Sequence, residues 1–145
     1  MNIAALIAWI VTAAGGSYLL ATWVAKGGQR RKAGASNFPP ALIFGHFALA
    51  AVGLIVWISY VVSDTKALAW TAFGLLVVIA LLGFTMLIRW LPTYRGRTAT
   101  AKLPDAITGS GPAEGHFPVA AVAGHGLLAI TTVVLVLLAA AGVGS

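Results

Sequence analysis

Cysteine is absent from this chain of 145 residues, which excludes disulfides, thiolate metal sites and cysteine nucleophiles and leaves the redox compartment unread. Acid is almost as scarce. Asp64, Asp105 and Glu114 are the only acidic side chains, all in connections between apolar runs, so no buried acid is expected. A proton- or sodium-coupled transporter keeps a carboxylate within the membrane, and that class loses ground. Charge of either sign is sparse: 8% of residues are charged against 60% hydrophobic, at a mean hydropathy of +0.97. A water-soluble globule of this size needs more polar surface, so the composition specifies an integral membrane protein. No catalytic nucleophile motif or glycine-rich phosphate loop stands out.

Present instead are four apolar runs, roughly Asn2–Ala25, Pro40–Val62, Lys66–Leu91 and Phe117–Gly142. Each reaches the roughly 20 helical residues that cross a hydrocarbon core of about 30 Å. No positive charge precedes the first run, whereas Lys26, Arg30, Arg31 and Lys32 follow it, the reverse of a secretory leader. It is expected to be a retained helix. The net charge of +6 has no polar domain to present it to nucleic acid, so it reads as a topology signal.

Lys26 to Lys32 form one basic connection, and Arg95, Arg97 and Lys102 follow Arg89 in another; between the second and third runs lie only Asp64 and Lys66. Basic connections stay cytoplasmic, which puts both termini and the short turn outside. The expected location is a cell membrane, multi-pass, as in a bacterial inner membrane. Trp9, Trp57 and Trp70 fall toward the outer ends and Trp23 and Trp90 toward the inner ends, as interfacial aromatic belts would have them. The segment 92–116, rich in Gly, Pro, Thr and Ala, reads as a cytoplasmic loop.

The chain resembles itself. Phe38-Pro39 precedes Gly45-His46 by the same spacing as Phe117-Pro118 precedes Gly124-His125, and Gly16…Trp23 of the first run matches Gly83…Trp90 of the third. Two copies of a two-helix unit, each with an even number of spans, are related by an axis along the membrane normal. The expected fold is therefore all-α: one transmembrane domain, a four-helix up-down bundle of two repeated hairpins. Short connections make sequential helices neighbours. Helix two then lies diagonal to helix four, and His46 faces His125.

Each histidine lies about eight residues into its helix, roughly 12 Å at 1.5 Å per residue, too deep for its short side chain to reach water. One reading is structural, a hydrogen bond to a neighbouring helix worth about 0.6 to 2 kcal/mol. The other is a ligand site. Ala50 and Gly53 on the His46 face, and Ala121 and Ala129 on the His125 face, leave room for a flat group, and Gly45 and Gly124 clear space beside each ring. A haem iron held between opposed imidazoles fits this constellation. Its propionates would point to the basic side, where Arg30, Arg95, Arg97, Lys26 and above all Arg89 supply cations; Arg89 reads equally as an interfacial snorkelling residue.

On His46, His125 and the small residues near them, the chain resembles the four-helix membrane b-type cytochromes of the cytochrome b561 kind. The resemblance implies haem b and one-electron transfer with quinol, superoxide or a partner redox protein. Many such proteins carry two haems on four histidines. One pair implies one haem, near the cytoplasmic side, and no relay across the membrane.

Two other classes stay open. One is a non-enzymatic accessory or scaffold subunit, docked through Gly- and Ala-rich faces to a larger membrane complex or to further copies, its histidines bonding between helices. The other is a transporter for a metal or small molecule, whose Zn or Cu shell two histidines leave incomplete. His116 breaks the repeat. It reads as solvated, or else as a proton donor or interfacial ligand with Glu114 tuning its protonation.

Overall fold

The computed structural model describes residues 1–30, 34–100 and 111–143, with residues 98–100 as backbone only. Arg31, Lys32, Lys102 and Asp105, for which topological or connecting roles are expected, lie outside the described residues. Among the described residues four long helices form: α1 (Asn2–Ala25), α2 (Pro40–Ser63), α3 (Lys66–Thr100) and α4 (Val119–Ala140), with a 3-10 turn at Ala113–His116 before α4. All four are long and apolar enough to cross a membrane.

Their ends follow from local chemistry. α2 opens on Pro39-Pro40, where a missing N–H costs the first turn nothing, and closes on Asp64 at φ 53°, a left-handed cap that Asp tolerates. α1 and α4 each stop at a glycine with positive φ, Gly27 and Gly142. There Gly28 N–H bonds to the Trp23 carbonyl and Val143 N–H to the Leu138 carbonyl, the paired carbonyl closure that glycine permits at a helix end.

The helices form a bundle in which α1 packs most closely on α4 and α2 on α3, with wider seams between α1 and α2 and between α3 and α4. The diagonal pairs, α1 with α3 and α2 with α4, make no close backbone approach among the described residues. The expected diagonal placement of α2 and α4 is thus the observed one. Apolar side chains cover the outside as well, among them Ile7, Ile55, Leu81, Phe84, Leu127 and Ile130, as lipid-facing surfaces require.

The core is split. One cluster, around Trp9, Trp57, Tyr60, Leu76 and Val136, fills the end near the α2–α3 turn. The other, around Trp23, Phe38, Ile43, Trp90 and Phe117, fills the opposite, basic end. Four of the five tryptophans are therefore buried inside the bundle, and Trp70 alone of them is exposed. This corrects the belt reading. The rings lie near the bundle ends as expected, but they fill interior space that Gly and Ala leave open, and two of their N–H groups bond to the interhelix linkers.

Two further expectations fail at the basic end. α3 does not stop at Leu91 but continues through Pro92 to Thr100. Proline removes one helical hydrogen bond there, while the residues around it grip both linkers: Arg89 Nη1 donates to the Asn37 carbonyl at 3.0 Å, Trp90 Nε1 to the Glu114 carbonyl at 3.1 Å, and Arg97 to the Gly115 carbonyl. Glu114 is fully buried, not solvated. Its segment folds back under the bundle, where the α1–α2 linker supplies the donors that make burial of a carboxylate tolerable.

Candidate functional site

Between the two core clusters the bundle carries a layer of a different kind. Its four members are His46 on α2, His125 on α4, Gly16 on α1 and Gly83 on α3. The imidazoles occupy one diagonal, with ring centroids 6.5 Å apart and planes inclined at 68°. The glycines occupy the other. A Cβ placed on Gly16 would come within 2.9 Å of His125 Cε1, and one on Gly83 within 3.3 Å of His46 Cε1. Each ring thus reaches across to a neighbouring helix and occupies the notch that a missing side chain leaves.

A backbone carbonyl orients one of the rings. His125 Nδ1 lies 3.0 Å from the Thr12 carbonyl oxygen; a carbonyl only accepts, so Nδ1 carries the hydrogen and Nε2 keeps its lone pair. His46 approaches the backbone of Ile79, but its Nδ1 is buried and closes no hydrogen bond. The sequence offset that carries Gly16 onto Gly83 also carries Thr12 onto Ile79. Each histidine therefore meets equivalent positions of the helix beside it, a two-fold arrangement with one hydrogen bond made and one left open.

Among the residues singled out from sequence, His46 and His125 come together as expected. A Cβ on Gly45 or Gly124 would meet nothing within 4 Å, so space is open there, but these are not the glycines on which the rings rest. Gly53 serves Trp9 instead: a Cβ at Gly53 would lie 2.9 Å from that indole. Ala50, Ala121 and Ala129 are half-buried on their helices. Arg89 is exposed at the basic end and bonded to the Asn37 carbonyl, which occupies one of its five donors. His116 is exposed, its Nδ1 3.3 Å from the Ala113 carbonyl oxygen. The Glu114 carboxylate meets Ser36 and Asn37 rather than His116.

In sequence Gly16 and Gly83 stand out only as matching positions of the repeat, and Ser36 does not stand out. The equal spacing of Gly16 and Gly83 from Trp23 and Trp90 was the available signal. Above the layer, Thr12 and Thr132 place their hydroxyls 3.1 Å apart, and each, with one hydrogen to give, directs it either to the other or to a carbonyl of its own helix, Ala8 or Leu128.

Compared with known proteins, the chain matches no family model, no curated protein and no solved structure. The site must therefore be read from its own chemistry. Its donor set is two imidazoles, and among the described residues no three His, Cys, Asp or Glu side chains gather to hold a metal ion.

Proposed function

We propose that this protein is a small membrane b-type cytochrome, holding one haem between His46 and His125 and exchanging single electrons with a quinol, superoxide or a partner redox protein. The observation that carries the reading is the spacing of the two rings. Imidazoles sharing one metal at bonds of about 2.0 Å have centroids about 6 Å apart, against 6.5 Å here.

The donor set supports it too. A bare metal ion held by this pair lacks a third and fourth protein ligand, whereas a haem brings its own equatorial nitrogens and asks the protein for two axial ones. Donation from Nδ1 to a backbone carbonyl is the arrangement that fixes a ligating histidine and frees its Nε2. Haem bound there supplies reversible one-electron chemistry at a potential set by its surroundings.

His46 and His125 would be the ligands. Gly16 and Gly83 seat the two rings, and Arg89, the cation of α3 closest in sequence to Gly83, would meet a carboxylate group at the basic end. The basic connections face the cytoplasm and both termini face outside, by the charge asymmetry of the linkers, in a cell membrane such as the bacterial inner membrane. The two hairpins are copies of one unit. Matching neighbours around His46 and His125 support that duplication.

A second reading has its own observation. Each ring already fills a glycine notch and His125 is already bonded to Thr12, as histidines would be that only hold helices together in an accessory or scaffold subunit. An absorption spectrum of freshly purified protein from about 350 to 650 nm separates the two. The cytochrome reading expects a Soret band that His46→Ala and His125→Ala each abolish; no band, even after reconstitution with haem, overturns it.

A further inference from the structure

α2 and α4 carry the two histidines, yet they stand on opposite corners of the bundle and, among the described residues, their backbones make no close approach. Something must hold their relative depth, because a slip of one residue displaces one ring by about 1.5 Å along the bundle. The Gly16 and Gly83 notches act on each ring separately. They do not relate α2 to α4.

At the basic end the two helices are tied directly. Glu114, three residues before Phe117, accepts the Asn37 N–H on Oε1 at 2.6 Å and the Ser36 hydroxyl on Oε2 at 2.7 Å, just before α2 begins. Ala113 N–H bonds to the Ala35 carbonyl at 2.8 Å, and the repeat-equivalent rings Phe38 and Phe117 meet at 6.3 Å. The Ser36 hydroxyl oxygen also accepts from Trp23 Nε1 and from Phe38 N–H, each at 2.9 Å. With its lone pairs taken, its hydrogen is directed at Glu114. Both carboxylate oxygens therefore face donors, and an amide would set its NH2 group against one of them.

We propose that Glu114 is the positioning residue of the histidine pair, setting the depth of α4 against that of α2 through Ser36 and Asn37. Its side chain touches neither ring. It acts through the two linkers, whose ends fix where each helix starts. The inference rests on the histidine layer and not on the presence of haem.

Absence of native cysteine permits a direct distance measurement. Val62 at the far end of α2 and Leu127 beside the histidine level of α4 are both exposed, so a Val62→Cys, Leu127→Cys protein carries spin labels at different depths, and a slip of α4 along α2 changes the distance between them. Pulsed electron-spin distances are then read on the full chain in lipid nanodiscs. Glu114→Gln is expected to slip α4 by a residue step of about 1.5 Å, read along this oblique vector as a change of about 1 Å in the mean distance, or to double the width of its distribution. Ser36→Ala removes one of the two bonds and is expected to produce a smaller change of the same kind; it decides the matter where Glu114→Gln does not fold. Distributions that superimpose on the parent while the thermal midpoint falls overturn the inference, leaving the carboxylate a stabiliser of the bundle end. A colourless protein with shifted distances removes the cytochrome and keeps this tie. A pigmented one with unshifted distances does the reverse.

Discussion

Gly16→Ala and Gly83→Ala make a test in which near-equivalent substitutions have unequal outcomes. At Gly16 the new methyl lands 2.9 Å from His125 Cε1, inside the distance that carbon atoms tolerate. The ring must move, and moving it strains the 3.0 Å bond from Nδ1 to the Thr12 carbonyl. Overpacking costs about 1–3 kcal/mol and the lost interhelical bond about 0.6–2 kcal/mol. Alanine returns up to about 1 kcal/mol of helix propensity, for a net loss of about 1 to 4 kcal/mol. At Gly83 the corresponding contact is 3.3 Å and His46 Nδ1 has no bond to lose. A shift of a few tenths of an ångström suffices, and the propensity gain of about 1 kcal/mol largely cancels it.

The assay is reversible unfolding in mixed micelles, followed by tryptophan fluorescence on ligand-free protein. Gly74→Ala and Gly126→Ala serve as controls, because a Cβ at either meets nothing within 4 Å. The expected order is Gly16→Ala clearly destabilised, Gly83→Ala close to the parent, and both controls at the parent or up to about 1 kcal/mol above it. If Gly16→Ala unfolds with the controls, or Gly83→Ala loses as much as Gly16→Ala, the ring-in-notch account is refuted.

Two further substitutions probe the ends of the bundle. Gly53→Ala pushes a methyl to 2.9 Å from the buried Trp9 indole and is expected to cost about 1–3 kcal/mol in the same unfolding assay, while leaving any haem spectrum in place. Trp90→Phe removes one of the two donors to the Glu114 carbonyl, which keeps its bond from the Phe117 N–H, and is expected to cost the net worth of one hydrogen bond, about 0.5–1.5 kcal/mol. Hydrogen exchange should accelerate first at residues 113–117, and uniform acceleration along all four helices would count against a local role.

Much of the bundle was legible because the membrane simplifies the problem. Long apolar runs with few charges leave helices as the available spanning form, and the Phe-Pro and Gly-His frames placed α2 and α4 at matching depth before any contact was known. The interior of the basic end was not legible. Glu114 reads as one of three unburied acids in connections because nothing near it in sequence explains its burial. Its partners Ser36 and Asn37 are nearly eighty residues away. The tryptophans misled for a related reason: position along a helix gives depth, whereas facing depends on which neighbours are small, such as Gly53 beneath Trp9. α3 outran its expected end because Pro92 weakens one bond while Arg89, Trp90 and Arg97 engage three carbonyls of the linkers.

The polar ties between linkers all gather at the basic end, and the opposite end is joined by a single two-residue turn, Asp64-Thr65, between α2 and α3. Mechanically the molecule is a pair of forceps with its hinge on one side of the membrane. Splaying forces from a thinner or more crowded bilayer then act at the tips, where Trp9, Trp57 and Tyr60 hold the helices by packing alone. The histidine layer, closer to the hinge, moves least.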